Sequence, residues 1–221
     1  MLRNRERLTQ IAMERLAASG HRAQQCFSEA SEIVIFGSMS VGLERLASDI
    51  DLLCIGRRDF TLKTHSLDLI ALKVETTTSA GWLESELASH IAEYGTWLKG
   101  SPEWCSEVQI GQNAISEKRR RIAAFMKALP NSWSGLDEVF RVKYSVKLRR
   151  ETQRLLLLEK GVSVPPTRVL DDCWSGISRS PCEVHDRLSR LASCPSNNFI
   201  QDLFGRIDAH FEMTREHRQS A

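Results

Sequence analysis

The stretch IVIFGSMSVGLERLASDIDLLCIG, residues 33–56, combines two features that an ordinary buried strand does not need. One apolar run ends in Gly37-Ser38, and the next carries Asp49 and Asp51 only one residue apart. Burying an unpaired carboxylate costs on the order of several kcal/mol. Something must therefore compensate these two acids.

The residues around this stretch predict an α/β arrangement. Apolar residues at helical spacing indicate amphipathic helices, and short β-branched apolar runs that end in glycine indicate buried strands. The predicted elements are, in chain order, helices over 3–19 and 22–30, a strand over 32–37, a short helix within 39–47, and strands over 49–55 and 66–75.

The pattern changes to helical spacing from Trp82 onward. The polar run ETTTSAG, residues 75–81, is the best candidate boundary, so we predict an α/β core with an N-terminal helix over 1–80 and a helical subdomain over 81–221. The predicted helices of this second half cover 82–98, 113–129, 134–160, 181–193 and 197–217.

Composition excludes several classes of protein. The 221 residues are 42% hydrophobic and 26% charged, which argues against a disordered or fibrous chain. A formal net charge of +2 neither identifies nor excludes a nucleic-acid binder. The charged N-terminus lacks the apolar core of a signal peptide, and no run reaches the length of a membrane span, so we expect a cytoplasmic protein without membrane contact.

The spacing of the acids predicts a metal site. Side chains alternate along a strand, so Asp49 and Asp51 point to the same side, about 5–7 Å apart. A divalent cation relieves their repulsion, and Mg²⁺ prefers such oxygen ligands. Asp68 lies between apolar residues of the next strand, where strand pairing would place it beside them. Three acids on adjacent strands form a two-metal site.

Other interpretations of the acids stay open. Asp49 and Asp51 could be a capping pair at a turn after Ser48. Glu75 could replace Asp68 as the third acid if the strand register differs.

The Gly37-Ser38 pair predicts a cradle for phosphates. Gly37 permits a tight turn and a close approach of the backbone to a ligand. Ser38 adds a hydroxyl at the start of the following helix, where free N–H groups attract anions. The stretch therefore joins a phosphate cradle to a metal site.

Taken together, these motifs resemble the nucleotidyltransferase superfamily related to DNA polymerase beta. Members have an apolar strand followed by Gly-Ser, a further glycine, Ser-Asp-x-Asp between apolar residues, and a third acid on a later strand. This chain has IVIFGS, Gly42, SDIDLL and LDLI at the corresponding places, over roughly residues 30–75.

The resemblance implies Mg²⁺-dependent transfer of a nucleoside monophosphate from an NTP, with ATP the expected donor, and release of pyrophosphate. It implies that Asp49 and Asp51 bind two Mg²⁺ ions, and that Asp68 completes one site and helps to deprotonate the acceptor. Gly37 and Ser38 would hold the triphosphate. The implied fold is a nucleotidyltransferase-type mixed sheet followed by a C-terminal α-helical subdomain that binds acceptor and nucleotide.

A basic face on the predicted helix 134–160 is the candidate contact for a polyanion. A solvated face is the alternative. Because cationic walls favour polyanions, we assign Lys143 and Lys147 to nucleotide binding and expect an RNA end as the acceptor. The face consists of Lys143, Lys147, Arg150 and Arg154 at helical spacing.

Several other functions remain possible from the sequence. The acceptor could be an aminoglycoside-type antibiotic, or a protein as in toxin–antitoxin pairs. A non-catalytic nucleotide-binding module is an alternative of a different class. Such a module predicts that one of the three acids is missing, whereas all three are present.

Overall fold

The computed structural model describes residues 2–44, 48–133 and 135–172 of the chain. It confirms the predicted fold class, a mixed five-stranded sheet with helices and a helical second half. The elements in chain order are α1 (Leu2–Ala18), α2 (His21–Glu29), β1 (Glu32–Phe36), α3 (Gly37–Ser40), β2 (Ile50–Gly56), β3 (Phe60–Lys63), β4 (Leu67–Lys73), α4 (Val74–Thr77), α5 (Ala80–Leu83), α6 (Glu86–Tyr94), β5 (Thr96–Lys99), a 3-10 helix (Glu103–Glu107), α7 (Gln112–Trp133), α8 (Glu138–Glu159) and α9 (Thr167–Asp172).

The sheet has the strand order β3-β4-β2-β1-β5. Strands β2 and β4 are parallel, and every other neighbouring pair is antiparallel. The register places Asp51 of β2 opposite Asp68 of β4, and Lys63 of β3 opposite the same Asp68. The expectation that strand pairing brings Asp68 next to Asp51 is therefore confirmed.

The two faces of the sheet pack against different helices. Alternation along β2 sends Ile50 and Leu52 into one apolar cluster with Leu8 of α1. Leu53 joins a second cluster on the other face with Trp82 of α5. Asp51 shares that second face because it is two residues from Leu53, so the acids lie at one end of the α5–α6 side of the sheet.

The prediction of one helix over 82–98 is wrong. Helices α5 and α6 divide the segment, and the hydroxyl of Ser85 caps α6 by accepting from the Ala88 N–H, 3.0 Å away. The chain then turns at Gly95, where a Cβ would lie 2.5 Å from the carbonyl oxygen of Ile91, and it continues as β5 beside β1. Pairing with β1 therefore outweighs the helical periodicity at this point.

Two short elements also differ from the prediction. Strand β3 was not predicted, because its four residues form an edge strand whose side chains are alternately half-buried and exposed. The short helix expected within 39–47 is a single turn, α3, that ends at Ser40; residues 45–47 lie outside the described part of the chain.

Contacts between residues divide the chain into two units. The first unit extends to Gln112, well beyond the predicted boundary between residues 80 and 81. The reason is that β5 completes the sheet of the first unit. As a division between catalysis and acceptor binding, the earlier boundary stays a prediction. Of the described residues, the first unit contains those within Met1–Gln112 and Ser163–Pro166, and the second contains those within Asn113–Val162 and 167–172.

Helices α7, α8 and α9 form the described part of the second unit. The predicted helices over 113–129 and 134–160 are confirmed as α7 and α8, whereas those over 181–193 and 197–217 lie outside the described residues. No helix in the part that the structure describes combines the length and the apolar content of a membrane span.

Candidate functional site

The acids of the first unit form a row across two parallel strands. Asp51 and Asp68 are directly paired in register, so their side chains lie on the same face of the sheet. Asp49 lies one residue before β2, close enough that its charge acts on Asp51. The structure thus pairs Asp51 with Asp68 and leaves Asp49 near Asp51. We call these three residues the acid row: Asp49, Asp51 and Asp68.

Asp51 is the most perturbed member of the acid row. Its pKa is raised to about 7, first by burial of the carboxyl and then by the charges of Asp49 and Asp68. The nearby charge of Lys63 acts in the opposite direction. A carboxyl in this position is only partly ionised at neutral pH, and a cation placed beside it would restore its full charge.

Lys63 is a site residue that the sequence reasoning missed. It ends β3 directly opposite Asp68, and its Nζ donates to Asp68 Oδ2. This contact raises the pKa of the lysine, although 72% of its side chain is exposed. The alternation in Phe60–Lys63, followed by the polar residues 64–66, was the available sequence signal for this strand.

Glu75 does not occupy the position of the third acid. It lies exposed in the short helix α4, beyond the end of β4. Asp68, by contrast, is in register with Asp51. The geometry therefore favours Asp68 over Glu75 as the third member of the row.

Gly37 packs directly against the acid row. It follows Phe36, the residue of β1 that lies opposite Asp51, and it has a φ of +73°. A Cβ at position 37 would lie 2.0 Å from Asp51 Oδ2, so any other residue would have to displace this carboxylate as well as adopt the positive φ. Ser38 comes next and is partly exposed. The turn is closed by the hydroxyl of Ser40, which donates to the Gly37 carbonyl oxygen at 2.8 Å.

His90 of α6 links the Gly37 turn to a distant segment of the same unit. Its Nε2 accepts from the Gly37 N–H at 3.3 Å, and its Nδ1 lies 2.6 Å from the carbonyl oxygen of Val164. With a carbonyl acceptor on one side and an N–H donor on the other, the neutral Nδ1–H tautomer satisfies both contacts. Ser89 makes a further contact to this segment, hydroxyl to hydroxyl, with Ser163 at 2.7 Å. Sequence spacing gives no sign of these long-range contacts.

The basic face of α8 consists of two exposed lysines and two arginines that donate to α9. Lys143 and Lys147 are exposed, and their Nζ atoms lie 5.4 Å and 5.5 Å from the ring centroids of Phe140 and Phe125. The other two members are held by α9. The guanidinium of Arg150 donates to Asp171 from Nε at 2.8 Å, and that of Arg154 donates to the hydroxyl of Thr167 at 2.9 Å.

The donor set of the acid row fits a divalent cation. Mg²⁺ prefers carboxylate oxygens. The pKa of Asp51 is raised first by burial and then by the charges of Asp49 and Asp68, and a bound cation would offset both effects. Within residues 2–44, 48–133 and 135–172, however, no three acidic, histidine or cysteine side chains are already gathered around one point. Asp68 is turned toward Lys63 instead. A cation bound by Asp68 through its Oδ2 would have to displace the lysine.

Comparison with known proteins agrees with the resemblance found in the sequence. Residues 22–101 match the family model of the nucleotidyltransferase domain. This match confirms the resemblance and supports nucleoside monophosphate transfer as the general activity of the domain. The match excludes Lys143 and Lys147. The site residues inside it include Gly37, Ser38, Lys63, His90 and the acid row.

The chain is also similar to a solved structure. This is a nucleotidyltransferase-like protein from Exiguobacterium sibiricum 255-15, with 14% sequence identity over 91% of this chain and 75% of that protein, at a TM-score of 0.33. The relation of this chain to nucleotidyltransferases rests on the family match over residues 22–101. No curated protein matches the chain.

Proposed function

We propose that the protein transfers a nucleoside monophosphate from an NTP, with ATP the expected donor, to the hydroxyl of an acceptor. The acceptor oxygen forms a bond to the α-phosphorus, the bond from that phosphorus to the bridging oxygen breaks, and pyrophosphate leaves. The observation that supports this most directly is the pairing of Asp51 with Asp68 next to Gly37, all within the matched domain.

The acid row supplies the proposed metal ligands. Asp49 and Asp51 would hold two Mg²⁺ ions, and Asp68 would complete one of the two sites. Bound there, Mg²⁺ would neutralise the acids and the triphosphate and stabilise the leaving oxygen. Asp68, which has a partly exposed carboxylate, would accept the proton of the attacking hydroxyl.

The turn after β1 is the proposed site for the triphosphate. Because Gly37 has no side chain, the backbone can come close to the Asp51 carboxylate and to a phosphate on the same side. Ser38 adds a partly exposed hydroxyl next to it. His90 keeps this turn in place through the Gly37 N–H. The single turn of α3 is too short to contribute a substantial helix dipole, so hydroxyl and backbone contacts carry this role.

An RNA end is the acceptor that we propose. Exposed Lys143 and Lys147 favour a polyanion, although Arg150 and Arg154 of the same face are engaged with α9. The same two lysines are proposed to contact the nucleotide. The cytoplasm is the proposed location, because it supplies both NTPs and RNA.

The acceptor can be found by labelling. The protein is incubated with Mg²⁺ and each α-labelled NTP in turn, together with total RNA, a protein lysate or an aminoglycoside panel. Label on RNA would support the proposal. Label only on an antibiotic or a protein would keep nucleotidyl transfer and overturn the RNA assignment. Label on none of the three would favour a nucleotide-binding module without transfer activity.

A further inference from the structure

Lys63 occupies a position that the proposed chemistry does not use. It lies on β3 next to the acid row. Its direct partner on β4 is Asp68, which in turn pairs with Asp51 on β2. Across these three strands, an ammonium group is therefore followed by two carboxylates. Through Asp68 this lysine is connected to the acids that would bind the metal, and its own charge acts on Asp51.

The backbone holds Lys63 in this place. The three residues between β3 and β4 form a tight connection, in which the Thr64 N–H donates to the Leu67 carbonyl oxygen at 2.8 Å. The Leu67 N–H donates back to the Thr64 hydroxyl at 3.0 Å. These bonds fix the end of β3 and the start of β4, so Lys63 and Asp68 lie directly opposite each other on neighbouring strands. The lysine side chain therefore reaches the acid without a change in the backbone.

The contact is of a kind that a ligand can displace. The Lys63 side chain is 72% exposed, and ion pairs with such exposure contribute little to stability. The oxygen that accepts from Lys63 belongs to the carboxylate that a metal would need. An ammonium group and a divalent cation would thus compete for the same carboxylate.

We propose that Lys63 is a positioning residue that holds Asp68 while no metal is bound and makes divalent-cation binding at the acid row depend on the nucleotide. This inference rests on the proposed function. A cation that enters alone meets the positive charge of the lysine, which already occupies one oxygen of Asp68. An NTP brings negative charge of its own, which offsets that repulsion. Nucleotide and metal should therefore bind cooperatively, and the site should be weakly occupied by metal alone.

The size of the effect follows from Coulomb's law. A unit charge about 5 Å from a divalent ion in a water-like dielectric changes its affinity by roughly tenfold. Removing the charge of Lys63 should increase the affinity for a divalent ion by about this factor when no nucleotide is present. With a non-hydrolysable NTP bound, the difference should shrink to roughly twofold or less.

The test is Mn²⁺ binding to the full chain, measured by electron paramagnetic resonance without nucleotide and again with a non-hydrolysable ATP analogue. Lys63→Gln should bind Mn²⁺ roughly tenfold more tightly than the natural protein, and Lys63→Arg should return it to the natural value. Lys73→Gln is the matched control. Lys73 pairs with Asp59 at the opposite end of β4, Nζ to Oδ2 at 3.4 Å, so its loss removes the same charge away from the row.

The outcomes separate this inference from the proposed function. Equal Mn²⁺ affinity in the natural protein and Lys63→Gln would overturn the role of Lys63, while labelled transfer could persist. Equal gains in Lys63→Gln and Lys73→Gln would also overturn it, because they indicate a general charge effect. Absence of Mn²⁺ binding in every variant, with and without the analogue, would overturn both this role and the metal dependence of the proposed function.

Discussion

Gly37 packs so closely against Asp51 that a Cβ atom at position 37 would lie 2.0 Å from Asp51 Oδ2. The glycine directly follows β1, and the acid lies in the neighbouring strand, opposite Phe36. The two halves of the sequence motif are thus parts of one packed arrangement, in which the proposed phosphate turn and the proposed metal ligand touch. A change in either half should disturb the other.

Replacing Gly37 by alanine should therefore impair both folding and activity. The new methyl group must displace the Asp51 carboxylate, and the φ of +73° is unfavourable for any residue with a Cβ. We expect a loss of about 1–3 kcal/mol in the free energy of unfolding. Label transfer should fall roughly 100-fold, because Asp51 is moved. Urea denaturation and the labelling assay measure the two effects.

Gly161→Ala is the matched control for this substitution. Gly161 follows α8 with a φ of +68°, and a Cβ there would meet nothing within 4 Å. It should cost about 1 kcal/mol through backbone strain alone and leave transfer unchanged. If Gly37→Ala behaved like Gly161→Ala in both assays, the contact between Gly37 and Asp51 would have no functional weight.

The raised pKa of Asp51 predicts how stability changes with pH. The carboxyl has an ordinary pKa of 3.8 and a pKa of about 7 in the fold, so the folded protein binds this proton more tightly than the unfolded chain. In metal-free buffer, the stability that Asp51 contributes should fall as the pH rises from about 4 to about 7 and then stay level. The total loss should be on the order of 4 kcal/mol, from about three pKa units at about 1.4 kcal/mol each.

Asp51→Asn isolates this effect, because asparagine keeps the shape of the side chain and does not titrate. Relative to the natural protein, the variant should become more stable as the pH rises through this window. Urea unfolding at pH 5 and pH 8 with a chelator gives the comparison. A natural protein that gained stability relative to the variant over the same range would mean that the fold stabilises the ionised carboxylate.

Asp68→Asn should separate catalysis from nucleotide binding. The amide cannot accept the proton of the attacking hydroxyl, so the transfer rate should fall by roughly 10²–10⁴-fold. The dissociation constant for the NTP should change much less, since this acid is proposed to act at the acceptor. Glu75→Gln, a change of an exposed acid beyond the end of β4, should leave both unchanged. Binding lost in proportion to rate would make Asp68 a ligand on the phosphate side only.

The two exposed lysines of α8 test the proposed acceptor. Lys143→Glu together with Lys147→Glu should reduce labelling of RNA by at least roughly tenfold and flatten its dependence on salt concentration. Lys160→Glu is the control, since Lys160 is an exposed lysine at the end of the same helix but away from the basic face. If Lys160→Glu reduced RNA labelling as much as the double variant, overall charge and not this face would govern RNA binding.

The acid row could be predicted from sequence because its signals are local. The spacing of Asp49 and Asp51 and the Gly37-Ser38 pair both lie within one short stretch, and alternation along a strand fixes which side chains share a face. Asp68 was predicted as a neighbour of Asp51, but the parallel direction of the pairing was not. Periodicity indicates that a strand exists, but it does not show which strand it pairs with or in which direction.

The errors occurred where elements are short or contacts are distant. Strand β5 covers only four residues after α6, and its Trp97 also fits the helical spacing of the preceding residues. Strand β3 is equally short and half-exposed, so Lys63 and its contact to Asp68 were missed with it. The link from His90 to Val164 joins residues far apart in the chain, for which a single sequence gives no signal.

The most direct test of the account is labelled transfer by the double variant Asp49→Asn with Asp51→Asn. The measurement is label on the acceptor and pyrophosphate released from each α-labelled NTP in the presence of Mg²⁺, with unfolding followed in parallel without metal. The account predicts that transfer is abolished while the free energy of unfolding is unchanged or higher, because two like charges have been removed from the acid row. Transfer that continued at a rate near that of the natural protein would contradict it.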